Sequence, residues 1–446
     1  AGGAAAKDGR STAPTNGSCL MQVANRVRGR QALGVSLWSD IESDGARCTG
    51  GACVVPAGET WILDTSMDVD TLTIKGTLEW DTAVDGLELR AGYVGVDDGG
   101  RLTVGTKEAP MDRRATIYIK RGWSHPKLGT RVLGGLGAAK IDIHGRLLRR
   151  TWTLLRRTSF AGSRQLYVKD DPESMGWRAG DRIGVATTSR GRSSRYTIAA
   201  IAPARPEPPQ CLNLPDVKKT CSTTRCKVLV TNMQQKTCKQ YCGRSGLTCK
   251  AAHEEVNNDC NIKANISCDQ SWPGTSDLLC ECNPPSDGRL GNRDTSGMKI
   301  LHLKEPLLDE HWGGHRDVAG RRLEMAAEVV NLERSVLITG DHDDFYASNT
   351  GLHTLISGRG HMDVRYARVE YCGQRDVMGR YCLHFHLMGR CPRCRFEGNA
   401  VVDSAQGGIT VHGTHNSLVS NNVIWDARAT GIYTEDGNEM NNLIKQ

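Results

Sequence analysis

The length, composition and charge of the chain limit what it can be. Its 446 residues, 38% of them hydrophobic, suffice for a large core and for two or three domains. Glycine is frequent at 50 residues, phenylalanine is scarce at 4, and no long helix-forming run occurs, so the composition favours strands and turns. No stretch of about 18 apolar residues occurs, which excludes a membrane-spanning helix within these residues.

The positive charge favours an anionic partner. A formal net charge of +7 suits a polyanion such as an acidic polysaccharide, with a solvated basic surface as the open alternative. No nucleic-acid-binding motif accompanies the charge, so nucleic acid is not expected as a partner. The arginines occur in three clusters: Arg149–Arg150, Arg156–Arg157, and Arg190 with Arg192 and Arg195.

The cysteines indicate an oxidising compartment, because 17 thiols would be a liability in the cytosol. Their odd number leaves at least one that is free or paired outside the chain. Asn16 and Asn265 each begin a glycosylation sequon, which favours a secreted or cell-surface glycoprotein. Ten cysteines fall in one short stretch: Cys211, Cys221, Cys226, Cys238, Cys242, Cys249, Cys260, Cys268, Cys280 and Cys282.

The chain begins with a small, polar stretch, and regular alternation comes after it. We expect a loosely ordered lead-in over residues 1–34. The chain opens without Met and stops just after a repeat has begun, so we expect it to be part of a longer protein. Alternating apolar residues then predict strands with one buried face, and interspersed glycines permit bends between them. These segments are 54–64, 71–80, 87–105, 115–121 and 140–147.

The glycine positions in this region carry a resemblance to a known family. The matching residues are Trp38, Val55 to Gly58, Leu72 to Leu78, Gly92, Gly99, Gly100, Leu102, Gly105 and Thr106. They resemble the G8 domain, and segments 128–130, 140–145, 152–153 and 177–183 resemble the region on the carboxyl side of G8 in that family. The family includes hyaluronan-binding and hyaluronan-cleaving surface proteins and the fibrocystin-like proteins. Motifs near the carboxyl end, HFH at 384–386 and HGTHN at 412–416, resemble its β-helix.

The resemblance implies an all-β protein outside the cell. The expected fold is a right-handed parallel β-helix, with a G8 domain and first coils over 35–200 and further coils over 298–446. The family implies function less directly, because one fold hosts several functions. Some members depolymerise hyaluronan and others are surface or coat proteins, and no catalytic set carries over residue by residue.

Residues 203–297 interrupt the family pattern. The segment 203–210 is rich in proline and 284–297 is polar, so both read as connections. The cysteine-rich stretch between them is predicted to be a small disulfide-stapled insert, because its length can hardly supply an adequate apolar core. Zinc is the alternative, although the spacings fit no paired CxxC pattern. The insert is a candidate surface for contacts with other surface proteins.

A repeat of 23 residues organises the carboxyl end. Stacked coils of a solenoid produce such a period, since each turn buries its apolar residues against the next. Leu383, Ile409 and Ile432 are predicted to stack in one inward column, and Asn amides to bond along the axis at a corner. The repeated positions are Asn399 and Asn422, Asp403 and Asp426, and Ile409 and Ile432.

The same alignment brings polar side chains together on the outside of the coils. His384 and Tyr433 fall in one outward row, and His386, His412 and Glu435 fall in the next, with adjacent strands about 4.8 Å apart. We predict His386, His412 and Glu435 as catalytic residues acting as general acid and base, with zinc ligation or hydrogen bonding to sugars as alternatives. The alternative is a structural role, in which these histidines hydrogen-bond to backbone carbonyls and hold loops in place. The predicted substrate-binding residues are His384, Tyr433, His415 and Asp436.

A second acidic cluster comes after the predicted strand 335–340. Asp341, Asp343 and Asp344 are candidate ligands for a divalent cation such as calcium, and a solvated turn is the alternative.

Three closely spaced cysteine pairs are expected to form local disulfides. These are Cys48 with Cys53, Cys372 with Cys382, and Cys391 with Cys394, for which a redox-active CxxC motif is the alternative.

Two functions remain open for such a chain. The first is an extracellular enzyme that binds and cleaves an acidic, hyaluronan-like polysaccharide by hydrolysis or elimination. The second is a non-catalytic surface, coat or adhesion protein in which the β-helix is a rigid spacer. An exposed row of histidines favours the enzyme, and buried, hydrogen-bonded histidines favour the spacer.

Overall fold

The computed structural model describes residues 34–44, 47–188, 193–203, 214, 216–222, 226–244, 247–283 and 299–446. The predicted lead-in, the sequon at Asn16 and the arginines at 190 and 192 lie outside them. The chain divides into two units, one formed by residues up to 146 together with 335–446 and the other by 147–334. Within the described part of the chain, no helix combines the length and the apolar character needed to cross a membrane.

The first unit is a parallel β-helix built from three long sheets. Sheet A contains Val35–Leu37, Thr60–Leu63, Thr77–Trp80, Arg101–Val104, Lys140–His144, His361–Arg365, Arg395–Glu397, Leu418–Ser420 and Leu443–Lys445. Sheet B contains Cys48–Thr49, Ala52–Val55, Thr71–Ile74, Val94–Val96, Val132–Gly137, His353–Gly358, Leu383–Arg390, Ile409–His415 and Ile432–Thr434. Sheet C contains Met67–Asp68, Leu87–Ala91, Ala115–Ile119, Val336–Gly340, Ala367–Cys372, Ala400–Ser404 and Val423–Ala427.

Short elements decorate this β-helix. The strands Ser124–His125 and Gly129–Thr130 form a small antiparallel ribbon, and Cys48–Thr49 pairs antiparallel with the next strand of sheet B. The helices are Trp38–Asp44 and His342–Ser348.

Apolar alternation explains the stacking. Each strand turns every second residue inward, so equivalent residues of successive coils form columns. Leu383, Ile409 and Ile432 are paired in register, which confirms the predicted column. One hydrophobic core runs from the first coils to the last, and within it the rings of Phe385 and Phe396 stack with centroids 3.8 Å apart.

Asparagines bond along the axis of the β-helix, as the repeat predicted, but to backbone rather than to each other's amides. The Asn399 side chain accepts from the amide of Ala367 and donates to the carbonyl of Val364. Asn422 does the same one coil later, accepting from the amide of Asn399 and donating to Phe396. Each amide thereby satisfies corner groups that lack a sheet partner.

The second unit is inserted inside a single coil of the β-helix. The chain leaves after the sheet A strand Lys140–His144 and returns with Val336–Gly340, the sheet C strand of the same coil. That returning strand pairs with Ala115–Ile119 on one side and Ala367–Cys372 on the other. The coils before and after the insertion therefore form one uninterrupted stack.

The second unit contains two antiparallel sheets, a hairpin and the helix Cys238–Arg244. The larger sheet contains Trp152–Leu154, Glu328–Asn331, Arg182–Val185, Ser194–Pro203, Lys299–Leu303 and Gln165–Leu166, and the hairpin joins His315–Val318 to Arg321–Glu324. The other sheet contains Val217–Ser222, Lys227–Val230, Leu278–Asn283, Thr248–Glu255 and Ile262–Ile266. Its disulfides join Cys221 to Cys260, Cys238 to Cys280, Cys242 to Cys282 and Cys249 to Cys268, so these eight thiols are not zinc ligands.

The boundaries of the β-helix differ from the predicted ones. The prediction assigned 35–200 and 298–446 to it, whereas residues 147–200 and 299–334 belong to the antiparallel unit. Apolar alternation marks any half-buried strand, parallel or antiparallel, and the partner of a strand is set by distant parts of the chain.

Candidate functional site

The register of sheet B brings the predicted catalytic residues together. His386 pairs with His412 on the neighbouring strand, and the amide of Glu435 donates to the carbonyl of Val411 one coil further on. Because all three side chains point away from the core, the coil spacing sets their separation. The predicted alignment of this row is thus confirmed.

The reactive atoms of these residues nearly touch. The Nδ1 atoms of His386 and His412 lie 3.1 Å apart. The Nδ1 atom of His412 is also 3.4 Å from the Oε2 atom of Glu435. The side chains of His412 and Glu435 retain 19% and 15% of their accessible surface, so the site is recessed but open to solvent.

Two further residues orient this group. The Nε2 atom of His412 lies 3.1 Å from the Oδ2 atom of Asp436, a predicted substrate-binding residue whose side chain is 43% exposed. The hydroxyl of Tyr381 donates to the Oε1 atom of Glu435 over 3.0 Å. The sequence reasoning missed Tyr381, although its position directly before Cys382 placed it close to the first histidine strand.

His384 is not at the surface, contrary to its predicted role as a substrate-binding residue. It is fully buried, and its Nδ1 atom donates to the carbonyl of Gly379. The ring of Tyr381 packs edge-on against it, 4.9 Å between centroids. The loop between the disulfide partners Cys372 and Cys382 covers His384. The alternation of apolar residues predicts strands, and it does not predict where a loop packs.

Burial keeps the histidines of the first strand neutral. Burial and the neighbouring His412 lower the pKa of His386, which opposes its protonation near neutral pH. Burial lowers the pKa of His384 well below its ordinary value, and the charge of His386 acts in the same direction. Both rings therefore present an unprotonated nitrogen.

The other predicted substrate-binding residues lie at the rim. Tyr433 is 41% exposed, and its hydroxyl donates to the carbonyl of Glu435. His415 is half-buried, and its Nδ1 atom accepts from the amide of Met440. An exposed aromatic ring at the rim suits contact with a sugar face.

Two groups of the described residues could hold a metal ion. One is His384, His386 and His412, which offer one ring nitrogen each, all within 4.8 Å of one another. The other is Asp142, His144 and Asp363 on sheet A, which the sequence reasoning did not identify. Regular alternation in KIDIH and HMDVR was the available signal, since it puts these residues on one outward face.

The second group is held by internal ion pairs. Asp142 contacts the Nε2 atom of His361 and a guanidinium nitrogen of Arg101, each at 3.0 Å. Asp363 is bound by both arms of Arg365 at 2.7 and 2.6 Å. Basic side chains already neutralise both carboxylates, so we interpret Asp142, His144 and Asp363 as part of a structural ion-pair network.

The predicted calcium site does not form. Asp341 caps the helix His342–Ser348 by accepting from the amide of Asp344. Asp344 pairs with Arg121 and Arg131, and the Asp343 side chain is 98% exposed beside His342. The three carboxylates have separate partners because the acidic run starts a helix instead of a loop.

The three predicted local disulfides are confirmed, joining Cys48 to Cys53, Cys372 to Cys382 and Cys391 to Cys394.

The arginine clusters of the sequence are engaged locally. Arg150 pairs with Asp170 over 3.1 Å, and the guanidinium of Arg157 lies 3.1 Å from the ring centroid of Tyr167. Other basic groups lie at the end of a sheet B strand. Arg390 is exposed and in register with His415, and Arg393 is exposed at the following corner. No carboxylate of the described residues pairs with Arg390 or Arg393.

Comparison with known proteins identifies both parts of the β-helix. Residues 44–156 match the G8 domain, and residues 349–446 match the CEMIP beta-helix. Human Fibrocystin-L is 25% identical over 426 residues, which make up 93% of this chain and 9% of Fibrocystin-L. In Dictyostelium discoideum, a G8 domain-containing protein and protein rliB are 34% and 32% identical over 148 residues, 33% of this chain and 12% of each protein.

The chain spans about a tenth of the length of these relatives. Seven disulfides join described cysteines, and together with the fibrocystin-like relatives they are consistent with an extracellular glycoprotein. The chain therefore carries a G8 domain and a CEMIP beta-helix and is a homologue of Fibrocystin-L, as its motifs predicted.

Proposed function

We propose that the outward face of sheet B binds an acidic, hyaluronan-like polysaccharide and cleaves it. The observation that carries this proposal is the convergence of His386, His412 and Glu435, whose reactive atoms lie 3.1 and 3.4 Å apart on a partly exposed face. Paired proton-accepting and proton-donating groups at such distances suit glycan hydrolysis or elimination.

The residues divide into acid–base and binding groups. The neutral imidazole of His386 is able to accept a proton from a sugar carbon or from water. The hydroxyl of Tyr381, which donates to Glu435 over 3.0 Å, is the group that supplies a proton to the leaving oxygen, and Glu435 holds it in position. Tyr433 at the rim offers its ring to a sugar face.

The surroundings suit a polyanion. Arg390 ends the histidine-bearing strand and Arg393 follows three residues later, and both are exposed. Their charges are positioned for the carboxylates of an extended acidic glycan. The match to the CEMIP beta-helix supports the same substrate class.

The test is a screen of the purified protein against hyaluronan and other acidic polysaccharides. We expect His386→Ala and His412→Ala to lower the rate of cleavage by about 100-fold or more, since general acid–base groups typically contribute that much. His342→Ala is the matched control, because this histidine is exposed on a different face of the unit. Products with an ultraviolet-absorbing double bond identify elimination, and products without it identify hydrolysis. Equal cleavage by all four proteins contradicts the site.

The second candidate function is a non-catalytic coat or adhesion component. The uninterrupted core from the first coils to the last favours it, because a continuous parallel stack makes a stiff spacer. Glycan binding without cleavage by the wild-type protein supports this role instead.

A further inference from the structure

Two buried acceptor atoms at the candidate site have no hydrogen-bond partner. The Nε2 atom of His384 and the Oε2 atom of Glu435 are both inaccessible to solvent and make no hydrogen bond. The second of them lies 3.4 Å from the Nδ1 atom of His412. A buried acceptor without a donor costs about 1–3 kcal/mol, so two of them in one site call for a ligand that accepts their lone pairs.

The surrounding contacts fix which nitrogen of each ring is free. The Gly379 carbonyl accepts the proton on Nδ1 of His384, which leaves a lone pair on Nε2. The Asp436 carboxylate lies 3.1 Å from Nε2 of His412, and it accepts from that nitrogen in the tautomer that leaves Nδ1 facing His386 and Glu435. Partners of this kind, a backbone carbonyl and a carboxylate, typically support metal-bound histidines.

The separations also fit a metal ion. A tetrahedral zinc ion with ligands at about 2.0–2.1 Å holds them about 3.3–3.4 Å from one another. His412 Nδ1 lies 3.1 Å from His386 Nδ1 and 3.4 Å from Glu435 Oε2. The two Nδ1 atoms are within hydrogen-bond distance, so either one shared proton or a cation lies between them.

We propose that His384, His386 and His412, whose ring nitrogens all lie within 4.8 Å of one another, bind one divalent transition-metal ion of the zinc class, with Glu435, 3.4 Å from His412, completing the set. In this arrangement Gly379, Tyr381 and Asp436 are positioning residues, because each holds a ligand through its second polar atom. Three imidazoles and one carboxylate suit zinc, whereas calcium prefers six to eight oxygen ligands. The nitrogen-rich donor set therefore excludes calcium.

A bound metal ion would also offset the negative charge of the carboxylates at the site. Glu435, Asp436 and Glu439 gather there, with Glu439 accepting from the amides of Gly413 and Asp436. An acidic glycan would be repelled by these carboxylates, and a divalent ion reverses the sign of the local charge. This consequence rests on the proposed function, whereas metal binding itself does not.

The test titrates Zn²⁺ into chelator-treated protein by calorimetry, with metal analysis of the dialysed product. We expect one ion per chain, and a loss of affinity of at least about 100-fold for His412→Ala and for Glu435→Gln. His342→Ala is the control and should bind within threefold of wild type. Replacement by Co²⁺ should give the visible absorption of a tetrahedral site, which His386→Ala should abolish.

The outcomes separate the inference from the proposed function. Zinc content near zero, unchanged affinity in His412→Ala, or equal affinity for Ca²⁺ overturns the metal site. If His384→Ala fails to fold, the partly exposed His386 and Glu435 variants, checked by circular dichroism, still decide the question. One bound zinc without any glycan binding supports the metal site and contradicts the proposed function. Cleavage that persists in metal-free protein supports the proposed function and shows that the ion is not required for it.

Discussion

The early and late coils of the β-helix share one scaffold but differ on the outward face of sheet B. The inward residues are apolar in nearly every coil, whereas one outward column changes from small to functional residues along the stack. In order it contains Val54, Thr73, Gly95, Gly134, Leu355, His384, Thr410 and Tyr433.

The glycines of the early coils serve a different purpose from the histidines of the late ones. A Cβ atom at Gly95 would lie 2.9 Å from the ring of His125, and one at Gly134 would lie 2.9 Å from Leu128. A loop thus packs directly on the early strands, while the late strands carry side chains that meet each other. The comparison teaches that inward residues determine the coil and outward residues are free to supply chemistry.

The largest expected effect comes from the shared inward face. We expect Phe385→Ala to lower the free energy of unfolding by about 3–5 kcal/mol, because the ring is fully buried against Phe396. Denaturant unfolding followed by circular dichroism measures it. Met378→Ala, at an 84% exposed side chain, should change stability by less than about 0.5 kcal/mol. A small effect at Phe385 would contradict the inward-face interpretation.

The next effect comes from the disulfide that closes the loop over His384. Replacing Cys372 and Cys382 by Ala should cost about 2–3 kcal/mol of stability, because a loop of 10 residues is released in the unfolded chain. The same loop carries Gly379 and Tyr381, so glycan and zinc affinity should fall as well. Removal of Cys48 and Cys53 in the early coils is the comparison and should leave both affinities unchanged.

A smaller effect tests the two outward faces directly. Gly134→Ala should destabilise by about 1–3 kcal/mol, because the new methyl group meets the Leu355 carbonyl and Leu128 at 2.9 Å. Thr410→Val should be neutral or stabilising by about 1 kcal/mol, because the buried hydroxyl of Thr410 has no partner. Thermal unfolding of both variants tests the difference, and equal destabilisation would refute it.

The last expected effect is a pH dependence. Burial and the charge of Arg380 lower the pKa of His353 to about 3, so its ring stays neutral in the folded state. Below about pH 6.5 the unfolded state binds a proton on His353 that the folded state does not. The free energy of unfolding is therefore unaffected by this residue above about pH 6.5 and falls between about pH 6.5 and about pH 3, by up to about 1.4 kcal/mol per pH unit. His353→Gln should flatten this slope, and His125→Gln in the early coils should flatten it less. Equal slopes in wild type and His353→Gln would refute this.

Much of the fold follows from local patterns. The 23-residue repeat and the alternation around Leu383 and Ile409 predicted the register, because a one-residue slip would expose the core face. The three carboxylates of Asp341, Asp343 and Asp344 predict a cation site, although an acidic residue followed three positions later by another also marks the start of a helix. Helix capping was the signal that the calcium interpretation overlooked.

The rest of the site depends on distant contacts. The outward position of His384 was predictable, but its burial under the loop with Tyr381 is set by a covering segment with no periodic pattern. The pairing of Asp142 with His361 likewise joins residues on either side of the inserted unit. Sequence spacing cannot supply such contacts, since the chain between them folds elsewhere.

The insertion inside one coil has a consequence for synthesis. When Lys140–His144 leaves the ribosome, the sheet C strand Ala115–Ile119 still has one unpaired edge. Its partner on that edge, Val336–Gly340, is not yet synthesised. At about 5–20 residues per second, ribosomes need on the order of 10–40 s to produce the intervening unit. During that interval a parallel sheet edge stays open to pairing with other chains until translation closes the coil.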